Sequence, residues 1–132
     1  MKSSTPRTSA LLVAALVSAC GLVWHVNADE ASNPIKESMK AFHKAPKGVD
    51  PVCKKAGDGK ASAEELSKLV ASYKTLISAK PPRGDEASWK AKTTALLAAA
   101  EGLKIGAPDA AAKYKEAVNC KACHSVHKPE TK

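Results

Sequence analysis

Residues 62–77 read Ser-Ala-Glu-Glu-Leu-Ser-Lys-Leu-Val-Ala-Ser-Tyr-Lys-Thr-Leu-Ile, which is the clearest structural pattern in the chain. The segment opens as a capping box, in which the Ser62 hydroxyl and the Glu65 carboxylate pair with the first backbone N–H groups of a helix. Apolar side chains then recur at the helical spacing of three and four residues: Leu66, Leu69, Val70, Tyr73, Leu76 and Ile77. The pattern predicts an amphipathic helix that must pack against others.

An earlier helix is predicted to begin at Asn33, a capping residue, with Pro34 at the first helical position. We expect this helix to end near Pro46. Its apolar face carries Ile35, Met39 and Phe42. The polar residues 48–60 are expected to form a long loop that leads to Ser62.

Two further helices are predicted after the chain breaks at Pro81-Pro82-Arg83-Gly84. One runs from about Asp85 to Gly102, with an inner face of Trp89, Thr93, Leu96, Leu97 and Ala100. The last begins at 107–109 and continues unbroken through Tyr114, Ala117 and Val118. Four amphipathic helices joined by short or moderate loops predict an all-α, antiparallel four-helix bundle. The alanine-rich faces of the last two helices would leave room for a flat cofactor.

The first 28 residues have the layout of an export signal. Lys2 and Arg7 precede a nearly unbroken apolar run over 10–23, and Val26-Asn27-Ala28 offers small residues for cleavage. We therefore predict a signal peptide over 1–28 and a periplasmic location for the rest of the chain.

Cys20 leaves the outcome of export open. Val17-Ser18-Ala19-Cys20 resembles a lipobox, in which the cysteine would be acylated and would hold the protein on a membrane. The residues after Cys20 stay apolar where a lipoprotein usually becomes polar, which favours cleavage after Ala28. An uncleaved anchor is the third alternative.

Residues 29–132 are predicted to form one small domain. Signal removal would take away two of the 21 basic residues and none of the 13 acidic ones, so the formal net charge of +8 becomes +6. Such a surface suits acidic protein partners or membrane headgroups. Export and the absence of interleaved aromatic and basic residues argue against nucleic acid as a partner.

Residues 120–124 read Cys-Lys-Ala-Cys-His, the C-x-x-C-H pattern of covalent c-type haem attachment. On a helix, Cys120, Cys123 and His124 share one face, so two thiols could form thioethers while the imidazole binds iron. Two alternatives are weaker. A redox dithiol expects strands nearby, which the sequence does not suggest. A zinc site using His127 as fourth ligand would crowd four ligands onto one short helix.

The late position of this motif, together with the predicted four helices, resembles the class II c-type cytochromes, the cytochrome c′ family. No methionine follows His124, and Met39 is the only methionine beyond the signal peptide. In low-spin relatives a methionine of the first helix is the sixth iron ligand, so the resemblance assigns that role to Met39. His43, one turn later, is the rival ligand, and an open sixth position is the remaining alternative.

The resemblance implies a non-enzymatic electron carrier with one haem c bound through Cys120 and Cys123, with His124 and Met39 as axial ligands. Its partners would be redox proteins, some with acidic surfaces, and it would be a monomer or a homodimer. The alternative is a five-coordinate haem protein that binds nitric oxide or another small gas. A zinc-binding interaction module is a third hypothesis.

Four other residues carry weaker expectations. Tyr73 and Trp89 are expected in the core, with contact to the porphyrin as the alternative. His127 is expected to be exposed, one turn beyond His124. Cys53 has no obvious partner and is expected to be a buried, unreactive thiol, with an intermolecular disulfide as the alternative.

Overall fold

The computed structural model describes residues 33–130. The predicted signal peptide over 1–28, with Cys20, lies outside the described residues, as do 29–32 and 131–132. All regular structure within 33–130 is helical, which confirms the predicted all-α class. The helices are α1 (Pro34–Phe42), α2 (Val52–Gly57), α3 (Ala63–Ser78), α4 (Glu86–Lys104), α5 (Ala110–Ala117) and α6 (Cys120–His127).

Three helices begin at the capping residues that the sequence predicts. The Asn33 side chain accepts hydrogen bonds from the backbone N–H groups of the first turn of α1. At α3 the Glu65 N–H donates to Ser62 Oγ (3.1 Å), and the Ser62 N–H donates to Glu65 Oε2 (2.8 Å), which completes the capping box. The Ser88 N–H donates to Asp85 Oδ2 (2.8 Å) at the start of α4. Polar side chains therefore satisfy N–H groups that have no partner within their own helix.

The prediction of a continuous loop over 48–60 is wrong, because this segment contains α2. Cys53, Ala56 and Gly57 of this short helix are buried, and α2 packs against α3 and α5. A Cβ atom on Gly57 would lie 3.2 Å from Lys115 Cγ. Close contact with a helix far along the chain stabilises α2, and a local pattern of apolar residues cannot reveal that.

The predicted last helix is divided in two. The Val118 N–H donates to the Tyr114 carbonyl (2.8 Å) where α5 ends. The Asn119 side chain then accepts a hydrogen bond from the Ala122 N–H (3.0 Å) and begins α6. Asparagine competes well for this capping position, so α6 starts at Cys120 as a separate helix. The first helix is also shorter than expected, ending at Phe42.

The core lies mainly between α3 and α4. Tyr73 and Trp89 are buried in it, as predicted. The Trp89 Nε1–H donates to the Leu76 carbonyl (2.8 Å), which ties α4 to α3 through a buried hydrogen bond. Helices α1 and α5 pack against this pair, and α6 contacts α4. This arrangement leaves a groove between α1, α4, α5 and α6.

Candidate functional site

The groove has a cavity volume of about 610 Å³, within the range of roughly 300–1,000 Å³ that is usual for small-molecule and cofactor sites. Most of its wall is apolar. The contribution of α4 includes Trp89, Leu96 and three alanines, Ala95, Ala98 and Ala99. Alanine side chains fill little space, so the helices surround an open volume rather than closing on each other.

One side of the groove is formed by α6. Cys120, Cys123 and His124 all line the cavity, as their shared helical face predicts. Cys120 and His124 are exposed, whereas Cys123 is half-buried and packs against the core. Burial raises the pKa of the Cys123 thiol. Asn119 fixes where this helix begins, so its capping bond also determines the direction in which the two thiols project.

Another part of the wall is formed by the end of α1. Met39 and His43 lie one turn apart, and both side chains line the cavity. The His43 N–H donates to the Met39 carbonyl (3.1 Å) at the end of the helix. Met39 is half-buried against the core. The structure thus brings all four predicted site residues to one groove, with His43 beside them.

Two buried tyrosines connect to His43 through a chain of hydrogen bonds. Tyr73 Oη lies 3.2 Å from His43 Nε2 and 2.8 Å from Tyr114 Oη. Burial, reinforced by the nearby His124, lowers the pKa of His43 to about 4, so the ring is neutral at pH 7. A neutral Nε2 can accept from the Tyr73 hydroxyl while Tyr73 accepts from Tyr114, which satisfies all three groups.

Sequence reasoning missed this network. Its members lie on α3, on α5 and at the end of α1, so no local spacing relates them. The available signal was the presence of two tyrosines, Tyr73 and Tyr114, within predicted helices. A buried hydroxyl requires a partner, and two such groups often supply one another.

His127 corrects a prediction. It is only 2% exposed and does not face solvent. Both ring nitrogens lie within hydrogen-bond distance of a partner, and the ring packs against Trp89. Nδ1 lies 2.9 Å from the Arg83 carbonyl and Nε2 lies 3.3 Å from Ser88 Oγ. His127 is therefore committed away from Cys120, Cys123 and His124, which argues against the zinc hypothesis.

Cys53 is buried, as predicted. Burial raises the pKa of its thiol, and the neighbouring Cys120 adds to the effect. Both cysteines line a second, smaller cavity of about 230 Å³ between α2, α5 and the first residue of α6. A buried thiol with a raised pKa holds little of the reactive thiolate form.

The burial of His43 predicts that the stability of the folded chain depends on pH. Between pH 6.5 and about 4 the unfolded chain binds a proton at His43 that the folded chain does not. Stability from this residue is therefore complete above pH 6.5 and falls as the pH drops toward 4, by on the order of 2–3 kcal/mol. Urea unfolding of a full-length Cys120→Ser/Cys123→Ser chain at pH 7 and pH 4.5 measures the loss.

His43→Gln in the same background is the matched variant, because glutamine does not titrate yet can still accept from Tyr73. The difference in unfolding free energy between the two pH values should be smaller in this variant. An equal difference in both chains would show that His43 does not cause the acid sensitivity.

Comparisons with family models, with curated proteins and with solved structures give no match for this chain. None of the helices between residues 33 and 130 is long and apolar enough to cross a membrane. In the same part of the chain, no three His, Cys, Asp or Glu side chains come together in a way that could hold a metal ion. The functional assignment therefore depends on the groove and its residues.

Proposed function

We propose that this protein is an exported monohaem c-type cytochrome that carries single electrons. Haem c would be attached to Cys120 and Cys123, with His124 and Met39 as axial iron ligands. The observation that carries the proposal is the position of Met39 in the same groove as the C-x-x-C-H residues, although about 80 residues separate them in sequence.

The residues of the groove fit such a group. A porphyrin is flat and largely apolar, and the groove offers a volume of about 610 Å³ with a mainly apolar wall. Two thiols and an imidazole project from one helical face into it. A porphyrin supplies four iron ligands itself, so the protein needs to provide only two.

When bound, haem supplies an iron that accepts and releases one electron without a chemical change in any substrate. The residues of this chain hold and tune that group. The Cys120 and Cys123 sulfurs would fix its position, and the His124 imidazole and Met39 thioether would set its potential. The apolar side chains of α4 that line the groove would lower the polarity around the iron.

Met39 is favoured over His43 as the sixth ligand because His43 Nε2 is already engaged by Tyr73. Binding iron through that nitrogen would break the bond and leave a buried hydroxyl to find another acceptor. Met39 has no comparable obligation, since a thioether is only a weak hydrogen-bond acceptor and its chain is flexible.

The helical architecture supports the resemblance to class II cytochromes c. Helices α1, α3 and α4, followed by α5 and α6 as one interrupted segment, correspond to the four predicted helices. Short connections between α3 and α4, and between α4 and α5, suit antiparallel neighbours. The insertion of α2 and the break before Cys120 are features of this chain beyond the simple four-helix pattern.

The surroundings of the groove suit an acidic redox partner. Lys92 and Lys113 line the cavity together with one acidic residue, Glu116, and Lys121 is exposed on α6. Cationic side chains around an exposed edge would steer a negatively charged protein toward it, an effect that weakens as salt is added.

The test is to express the whole chain in a host that attaches haem c and to examine the purified protein. A haem stain on a denaturing gel and a pyridine haemochrome assay should show one covalent haem. The reduced spectrum should be low-spin and should not respond to carbon monoxide. A chain without haem would end the proposal, whereas a high-spin spectrum that shifts with carbon monoxide would support the gas-binding alternative.

A further inference from the structure

We propose that the loop between α3 and α4 is a clasp that fixes the orientation of α6 by holding His127, a positioning residue on that helix. The clasp is defined as residues 81–85 together with Ser88. The inference deepens the proposed function, on which its haem-dependent part rests. His124, which would bind the iron, lies one turn before His127 on the same short helix.

His127 makes three contacts, two with the clasp and one with Trp89 of α4. Its Nδ1 lies 2.9 Å from the Arg83 carbonyl, to which the Nδ1–H donates. Its Nε2 lies 3.3 Å from the Ser88 hydroxyl. Its ring meets Trp89 edge to face, with centroids 5.4 Å apart and an interplanar angle of 76°. Because only 2% of the surface of His127 is exposed, water cannot readily take over its hydrogen bonds.

Arg83 binds the end of the same helix from outside. Its Nε–H donates to the Val126 carbonyl (3.1 Å) and an Nη2–H donates to the Ser125 carbonyl (2.7 Å). Its other terminal nitrogen pairs with Glu130 (3.0 Å). Carbonyls in the last turn of a helix have no partner within it, so a guanidinium with several donors is well suited to cap them.

Gly84 allows the clasp to touch the helix. Its φ is +80°, and a Cβ atom built on it would lie 2.8 Å from His127 Nδ1 and 2.9 Å from the Val126 carbonyl oxygen. Both the backbone conformation and the lack of space require glycine here. The contact is therefore a close backbone-to-helix packing.

Trp89, which directly follows the clasp in sequence, links His127 to the groove. Its indole touches His127, lines the cavity, and donates to the Leu76 carbonyl (2.8 Å). A helix of eight residues is marginal without tertiary support. The clasp binds the C-terminal end of α6, whereas His124 lines the groove. The clasp therefore restricts rotation of the helix about its axis. The contacts at the C-terminal end of α6 therefore set the direction in which the His124 imidazole projects.

Two variants test the clasp in a haem-free background of Cys120→Ser/Cys123→Ser in the whole chain. His127→Phe keeps an aromatic ring against Trp89 but removes both hydrogen bonds, and Arg83→Gln shortens the exposed capping side chain. Amide hydrogen exchange in α6 should accelerate by roughly tenfold in each, while the buried amides of α3 keep their protection. Arg83→Gln keeps the test valid if His127→Phe does not fold.

Lys80→Gln is the matched control, since it removes a cation next to the clasp whose side chain is 84% exposed. Its exchange in α6 should equal that of the parent chain. His127→Asn can still donate to the Arg83 carbonyl and should recover part of the protection. Unchanged α6 exchange in both test variants would overturn the clasp.

The haem-loaded chain tests positioning itself. The same two variants should shift the reduction potential and the magnetic resonance signals of the iron-bound imidazole, whereas Lys80→Gln should leave them unchanged. Faster α6 exchange with an unaltered imidazole signature would overturn the positioning role. If the chain bound no haem, the proposed function would fail, but the exchange result in the haem-free chain would still stand.

Discussion

Replacing both Cys120 and Cys123 with alanine is expected to remove essentially all haem that survives denaturation. The two thiols are the groups in the groove that can form thioether bonds, and they share one face of α6 with His124. Without them, only ligand bonds and apolar contacts could retain a cofactor, and both are lost on unfolding. A haem stain after denaturing electrophoresis, normalised to protein, measures the effect.

Cys53→Ala is the matched control for this experiment. Cys53 is buried and lines the smaller cavity of about 230 Å³, not the groove. Its removal should leave the haem content near that of the parent chain. Retention of covalent haem by the double variant, or its loss in Cys53→Ala, would contradict the assigned attachment sites.

Met39→Ala is expected to convert the low-spin spectrum to a high-spin one in most molecules and to allow carbon monoxide to bind the reduced protein. Alanine has no donor atom, so the position opposite His124 would open. The thioether also favours the reduced iron, so the reduction potential should fall in the variant. Optical spectra of both oxidation states, with and without carbon monoxide, test the prediction.

His43→Leu separates the two candidate ligands. Leucine cannot bind iron, yet Met39 remains in place, so this variant should stay low-spin with its reduced spectrum unchanged. The opposite result, in which His43→Leu becomes high-spin and Met39→Ala does not, would transfer the ligand role to His43. Circular dichroism on both variants verifies that the helices persist.

The parts of the fold that the sequence predicts well are those with local causes. Asn33, Ser62 and Asp85 each begin a helix because a short polar side chain can reach the first free N–H groups of its own backbone. The face of α3 is equally local, since a spacing of three and four residues places side chains such as Tyr73 together. The convergence of Cys120, Cys123 and His124 follows from the same geometry.

The features that escaped prediction depend on partners distant in sequence. Helix α2 follows Pro51 without a side-chain capping bond and depends on burial against other helices. His127 is buried because it packs against the clasp, whose Arg83 precedes it by 44 residues in sequence. Spacing within a segment carries no information about such contacts. Only a family resemblance predicts that Met39 lies in the same groove as the residues of α6.

The alanine wall of the groove has a consequence for the thermodynamic stability of the chain. Alanines such as Ala95, Ala98 and Ala99 leave about 610 Å³ that no side chain fills, so the atoms around it lack contacts that a closed core would provide. Whatever fills this volume in the folded state alone adds to the free energy of unfolding. We therefore expect a molecule whose groove is filled, by haem under the proposed function, to resist proteases that degrade a molecule whose groove is not filled.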